Sequence, residues 1–229
     1  MTARGIGCDR RVIIACRVME PELARVLEEE RDEGVEIVYL DQALHRTPTK
    51  LLGQLQEKID RYAQTAERII LGYGLCSNGV VGARAERQEL VIPRCHDCIA
   101  LFLGSPSRYQ EVFHQKPGTY YLTPGWIAEK KDPLGIMEEN MAKFDRETAE
   151  WVMEEELRHY THIALIDTGV EAMGTLRQRA MENAAVLKKQ YEEIPGSLDY
   201  FRAIVRGPYS PDHFLRIRSG EALTQEMFF

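Results

Sequence analysis

A five-residue segment, Arg94-Cys95-His96-Asp97-Cys98, combines two thiols, an imidazole and a carboxylate. Apolar runs flank it at 90–93 and 99–103. The C-x-x-C spacing is typical of zinc sites, of iron–sulfur clusters and of thioredoxin-like redox pairs. Thiolates and imidazoles are the ligands that soft metal cations prefer. The segment is therefore the first candidate for chemistry in this chain.

The chain has an odd number of cysteines, which are Cys8, Cys16, Cys76, Cys95 and Cys98. An odd number in a chain of this composition does not favour a disulfide framework. It favours metal binding or thiol chemistry. The alternative is structural, because free cysteines are often small buried apolar residues.

Apolar strand-like runs alternate with helical patterns along the chain, which indicates parallel βαβ units. The predicted strands are 10–18, 35–41, 68–74, 89–93, 118–125, 161–169 and 198–207, and the longer predicted helices are 21–34, 48–66, 105–115, 138–160 and 171–193. Residues 77–87 predict a short helix, and 210–217 a short helix that runs into an edge strand. We expect an α/β fold of two lobes of parallel sheet with flanking helices, and a cleft at the carboxyl ends of the strands. The lobes are 1–126, with the cysteine cluster, and 127–229.

Ligands of open parallel sheets bind outside the carboxyl ends of the strands. Cys16 follows the first predicted strand, Cys76 the third, and Cys95 and Cys98 the fourth. If these strands are neighbours, the thiols converge. This predicts a metal held by Cys16, Cys76, Cys95 and Cys98, or by three of them with His96, with a coordination position left open for a substrate.

Other residues at the strand ends are candidates for the metal site's surroundings and for substrate binding. Asp97 is expected to cap the helix that follows it. Arg17 and Arg94 would lower thiol pKa values and hold an anionic substrate, or else lie exposed. The remaining substrate-binding candidates are Gly74, Ser77, Asn78, Trp126, Asp167 and Arg206.

The net charge of −7 gives no electrostatic argument for nucleic acid or for a membrane surface as a partner. No apolar run reaches the ~20 residues of a membrane span. The N-terminal residues show no signal-peptide pattern, so a cytoplasmic protein is the expectation. The oligomeric state is not predicted.

Three segments, "GYGLCSNGVVG", "IPRCHDCIALFLGS" and "PGTYYLTPGW", resemble an uncharacterised family, the domain of unknown function numbered 1638. The resemblance covers roughly residues 10–215 and is densest at 72–126. It implies occurrence in anaerobic archaea and bacteria and a link to corrinoid-dependent methyl transfer, but no catalytic residue. The characteristic positions correspond to Gly72, Gly74, Cys76, Asn78, Gly79, Arg94, Cys95, His96, Asp97, Cys98, Gly125 and Trp126.

These features support three functional hypotheses. The first is a zinc–thiolate enzyme of thiol or methyl-group transfer, because zinc keeps a bound sulfur deprotonated near neutral pH. The second is an iron–sulfur enzyme with one open iron. The third is a non-catalytic protein that binds a metal, a corrinoid or a methyltransferase. The expected partner is a small-molecule substrate or a corrinoid methyltransferase system, and whether the chain is an enzyme stays open.

Overall fold

The structure, a computed structural model, describes residues 10–76, 78–171 and 173–229. The strands of these residues are, in chain order, β1 (Arg11–Cys16), β2 (Val35–Leu40), β3 (Arg68–Gly72), β4 (Glu89–Pro93), β5 (Thr119–Leu122), β6 (His162–Asp167), β7 (Gln190–Pro195) and β8 (Phe214–Ile217). The helices are α1 (Glu20–Glu30), α2 (Pro48–Tyr62), α3 (Ile99–Phe102), α4 (Pro106–Gln115), α5 (Pro124–Ala128), α6 (Pro133–Met141), α7 (Arg146–Glu156), α8 (Met173–Val186) and α9 (Asp199–Arg206).

The strands form two sheets. The larger sheet has the order β2-β1-β3-β4-β8, and only its last strand, β8, runs antiparallel to its neighbour. The smaller sheet has the order β5-β6-β7 and is parallel throughout. Helices flank both sheets, so the expected α/β class is confirmed. The expected cleft at the strand ends stays a prediction.

The local sequence explains the start of several helices and the burial of the central strands. Proline stands in the first turn of α1, α2, α4, α5 and α6, where its missing N–H has no intrahelical partner to lose. Strand β1 is buried from Val12 to Cys16, as expected for a parallel strand covered on both faces. The main apolar core also takes in Ala164, Ile166 and Ile194 of the smaller sheet. One face of the smaller sheet therefore packs into the core of the larger sheet, while Leu122, Ile163 and Leu165 form a second apolar cluster with α8.

The expected division at residues 126 and 127 stays a prediction, and sheet membership crosses it. Strand β5 precedes the boundary but pairs with β6, while β8 follows the boundary but pairs with β4.

The strand predicted at 198–207 is wrong, because this segment is helix α9. Its buried residues, Tyr200, Phe201, Ile204 and Val205, have the spacing of one helical face. The apolar run was too short for its length to separate a strand from a buried helix.

The helix predicted over 171–193 ends earlier, at Val186. Lys188 has a left-handed φ of 55°, which turns the chain so that β7 pairs with β6 along its whole length. The stretch 138–160 contains the end of α6 and the whole of α7 rather than one helix. The short helix expected within 77–87 is absent from its described residues, which form turns.

Among the described residues, no helix combines the length and the apolar character that crossing a membrane requires.

Candidate functional site

The loops after β3 and β4 are joined by backbone hydrogen bonds. Leu75 N donates to Cys95 O at 2.9 Å, and Cys76 N donates to His96 O at 3.2 Å. Gly74 allows this approach, since a Cβ there would lie 2.8 Å from the Cys95 carbonyl oxygen. The parallel pairing of β3 with β4 thus continues into the loops and brings Cys76 to the C-x-x-C segment.

Cys76 has a left-handed backbone, with φ of 46°. Non-glycine residues adopt this conformation in only a few per cent of cases, and such residues concentrate at functional sites. Its carbonyl accepts a hydrogen bond from Gly79 N at 3.1 Å, which closes the turn. The turn fixes the direction in which the Cys76 thiol leaves the loop.

His45 reaches the same thiol from a different strand end. It lies in the short 3-10 helix Gln42–Arg46, which follows β2. Its Nδ1 lies 2.9 Å from Gln42 O, and because a carbonyl can only accept, Nδ1 carries the proton of this bond. Nε2 is therefore the nitrogen available to the Cys76 thiol, with which the ring forms a hydrogen bond.

The Cys76 thiol has hydrogen bonds to two groups, and they change its acidity. The bond to Cys98 and the bond to His45 together outweigh burial and lower the pKa of Cys76 to about 6. The pKa of Cys98 is raised, first by its bond to Cys76 and then by burial. Burial opposes protonation of His45, yet contact with Cys76 raises the pKa of the ring. These opposite shifts favour the negative charge on Cys76 and the proton on Cys98.

The other two thiols of the predicted cluster stay neutral. Burial raises the pKa of Cys16 to about 12 and also raises the pKa of Cys95. Cys16 ends β1 and lies close enough for an electrostatic interaction with Cys76. All four described cysteines are free.

Tyr73 adds a hydroxyl to the thiol group. The residue is fully buried, and its ring stacks on His45 with centroids 5.7 Å apart. Its hydroxyl has no hydrogen-bond partner among the described residues, although Cys16, Cys76 and Cys98 all lie within electrostatic range of it. A buried polar group without a hydrogen-bond partner costs about 1–3 kcal/mol of folding free energy. Core packing alone therefore does not explain why a hydroxyl stands here.

His96 and Arg94 lie apart from this thiol group. The His96 ring is exposed and packs on Phe229, with centroids 4.8 Å apart. The Arg94 guanidinium donates to the backbone carbonyls of Pro211 and Met227 at 3.4 and 3.3 Å. Both side chains hold the C-terminal residues of the chain rather than facing Cys76.

The expected cap at Asp97 is confirmed. Its Oδ1 accepts a hydrogen bond from Ile99 N at 2.8 Å. The same carboxyl forms a hydrogen bond with the Cys98 thiol. Asp97 thus links helix α3 to the thiol group.

The other candidates for substrate binding are dispersed. Arg17 pairs with Glu20 at 3.1 Å, and Arg206 pairs with Glu30 at 3.1 Å. Asp167 accepts from Gly169 N at 2.9 Å. Asn78 is exposed, with a φ of 66°, and Ser77 lies outside the described residues.

A pocket of about 290 Å³ opens beside the thiol group. Trp126, one of the candidates, lines it and packs edge-on against Phe102. Asp97 and Gln42 also line it, and these are the residues that contact Cys98 and His45. The wall of the pocket thus includes the residues that contact Cys98 and His45.

The zinc and iron–sulfur hypotheses stay predictions. In the part of the chain that the structure describes, no group of three or more His, Cys, Asp and Glu side chains is arranged to hold a metal ion. The residues that interact with Cys76, a cysteine and a histidine, are nevertheless of the types that zinc binds, and Cys16 lies nearby.

His45 and Tyr73 were not among the residues that the sequence singled out. The candidates included no residue from the segment that follows the second strand, where His45 lies. Tyr73 directly follows β3 and stands between Gly72 and Gly74. Both residues lie where ligands of open parallel sheets bind, since each follows a strand of the larger sheet.

The model of one protein family matches residues 39–205, and its description is "Protein of unknown function (DUF1638)". No curated protein and no solved structure matches the chain significantly.

Proposed function

The chain belongs to the family of proteins of unknown function DUF1638, and we propose that it uses Cys76 as a nucleophilic thiolate in group transfer, with methyl transfer as the reaction class. The observation that carries the proposal is the contact of the Cys76 thiol with both His45 and Cys98. A cysteine whose pKa lies near or below neutrality beside an imidazole has the environment of an activated nucleophile.

The residues around Cys76 have separate parts in this chemistry. The sulfur attacks an electrophilic carbon, so that a carbon–sulfur bond forms while the bond to the leaving group breaks and its electron pair leaves with that group. His45 stabilises the thiolate before the attack, and its Nδ1–H bond to Gln42 fixes the ring orientation. Cys98 donates a hydrogen bond to the thiolate and so keeps it in one position.

The setting we propose is one-carbon metabolism linked to corrinoids, as the family resemblance implies. The partner is then a corrinoid methyltransferase system or a small-molecule methyl donor. A non-catalytic accessory role for such a system is the other reading of the same site, and it predicts ligand binding without turnover.

A zinc site is the second candidate function, and one observation favours it. His45 Nδ1–H donates a hydrogen bond to a backbone carbonyl, as metal-binding histidines commonly do, which leaves the Nε2 lone pair available for a metal. Cys76, Cys98 and His45, with Cys16, would hold the ion, and the ion would keep the sulfurs deprotonated near neutral pH.

Elemental analysis of protein purified without oxygen tests the second candidate. About one zinc per chain, lost in Cys76→Ser, would support it. Iron with sulfide would support the iron–sulfur hypothesis instead. The absence of metal would leave the metal-free Cys76 thiolate as the remaining proposal.

Peptide mapping after brief alkylation at pH 7 tests the main proposal. A Cys8→Ser background removes the thiol that lies outside the described residues. Cys76 should be modified before Cys16, Cys95 and Cys98. Preferential modification of any of these three would contradict the proposal.

A further inference from the structure

The pocket beside the thiol group is lined mainly by aromatic side chains. They are Tyr109, Phe113, Tyr120, Tyr121, Trp126 and Tyr160. Among the described lining residues, the only one with a carboxylate or a basic group is Asp97. The volume of about 290 Å³ lies at the lower end of small-molecule sites. The lining thus combines aromatic rings with a single acidic group.

Edge-to-face contacts hold the rings in place. Tyr109 of α4 meets Tyr121 of β5 with centroids 6.1 Å apart and a 66° angle between the rings. Tyr120 of β5 meets Tyr160 with centroids 5.4 Å apart and a 71° angle. Strand β5 therefore supplies one ring to each pair. The pocket's rings are set by the scaffold before any ligand arrives.

Aromatic faces attract cations, and the lining of the pocket supplies no basic side chain from the described residues. The cation–π contacts found in the described part of the chain are made by Arg17, Arg61 and Arg68, over rings that do not line the pocket. Arg46 lies within electrostatic range of Tyr120, but so do Asp132 and Glu156. The charge near the rings is thus acidic in balance, which favours a cationic ligand.

We propose that this pocket binds a small methylated ammonium cation. The positive charge would lie against the aromatic faces, with Asp97 as the acidic neighbour. Asp97 is the only carboxylate among the described lining residues and already uses one oxygen for Ile99 N, so the pocket offers a primary ammonium few charged acceptors. A methylated nitrogen spreads its charge over apolar methyl groups and needs few or no acceptors.

This inference rests on the proposed function, since it names the substrate class of the same site. Asp97 forms a hydrogen bond with Cys98, which in turn contacts Cys76. Gln42 lines the pocket, and its backbone carbonyl accepts a hydrogen bond from His45 Nδ1. Asp97 and Gln42 therefore connect the wall of the pocket to the thiol group.

Isothermal titration with choline tests the inference, with its uncharged carbon isostere as the matched ligand. In that isostere a tert-butyl group replaces the trimethylammonium group, so shape is kept and charge is removed. Choline should bind at least about tenfold more tightly. Equal affinity of the two ligands, or no binding of choline, would overturn the proposal.

Variants identify the pocket as the place of binding. Tyr160→Phe keeps an aromatic face and should hold choline within about threefold of the parent, whereas Tyr160→Leu should weaken binding about tenfold. Asp97→Asn should also weaken it. Trp151→Leu is the control, because Trp151 is 61% exposed on α7 and does not line the pocket. Equal losses in the Tyr160→Leu and Trp151→Leu variants would contradict the assignment.

The binding test is independent of thiol chemistry. Cys76→Ser should bind choline like the parent protein, because the ligand's charge contacts rings and not the sulfur. If choline binds but Cys76 is not the reactive thiol, the proposed function fails and the pocket assignment stands. If Cys76 is reactive but choline does not bind, the pocket assignment fails alone.

Discussion

The imidazole of His45 lies against the thiol of Cys76, although the two residues follow different strands of the larger sheet. Strand β1 separates β2 from β3 in that sheet, so the contact spans two strand spacings. His45 reaches across because the 3-10 helix after β2 carries it over the end of β1.

Replacing His45 with Asn should raise the pKa of Cys76 toward that of an ordinary thiol. The variant removes the hydrogen bond and the charge of the imidazolium, which are two of the causes that lower the pKa. Alkylation rates against pH measure the change, and circular dichroism checks the fold. A folded variant with an unchanged midpoint would show that His45 does not act on Cys76.

Two substitutions of Cys98 separate the effect of its hydrogen bond to Cys76 from the effect of its packing. Cys98→Ser keeps a hydrogen-bond donor, so the Cys76 pKa should stay low, while Cys98→Ala removes the donor and should raise it. The same alkylation profile is the measurement. If both variants behave alike, hydrogen bonding from Cys98 is not the cause of the lowered pKa.

Gly74→Ala should destabilise the protein by about 1–3 kcal/mol, because the added Cβ meets the Cys95 carbonyl oxygen at 2.8 Å. Gly53→Ala is the matched control. Gly53 lies inside α2 with open space around a Cβ, so its replacement should stabilise by about 0.5–1 kcal/mol. Urea unfolding measures both changes. Equal effects would show that the two loops do not pack as described.

Because of Glu22, the free energy of unfolding should decrease as the pH rises from about 4.5 to 7. Its carboxyl is buried and accepts a hydrogen bond from Thr168 Oγ1 at 2.7 Å, and burial raises its pKa to about 7. In this interval the unfolded chain releases the proton while the folded chain keeps it, so the proton's contribution to folding is lost as pH increases.

The full loss is on the order of 3 kcal/mol at pH 8, from the difference between the folded and unfolded pKa values. Glu22→Gln removes the titrating group and should flatten this part of the profile. The measurement is the free energy of unfolding of the parent protein and of Glu22→Gln from pH 4 to pH 8. Profiles of equal slope would refute the prediction.

The convergence of thiols was predictable because parallel strands end at one edge of a sheet. Strands β1, β3 and β4 are neighbours, and the loops that carry Cys76 and Cys98 meet there. The direction of His96 was not predictable, because successive residues in a turn point different ways and the partner, Phe229, is remote in sequence. The helical state of α9 was missed for a similar reason, since its burial against α1 and α3 is a tertiary effect.

The pH dependence of Cys76 alkylation tests the central claim most directly. The Cys8→Ser protein and its Cys76→Ser derivative are treated with iodoacetamide over a range of pH, and modification of residue 76 is followed by mass spectrometry. We expect the rate of Cys76 modification to be half-maximal at a pH of about 6. The Cys76→Ser protein should show no modification at residue 76. A midpoint at the ordinary thiol value, above about pH 8, would contradict the claim that His45 and Cys98 activate this sulfur.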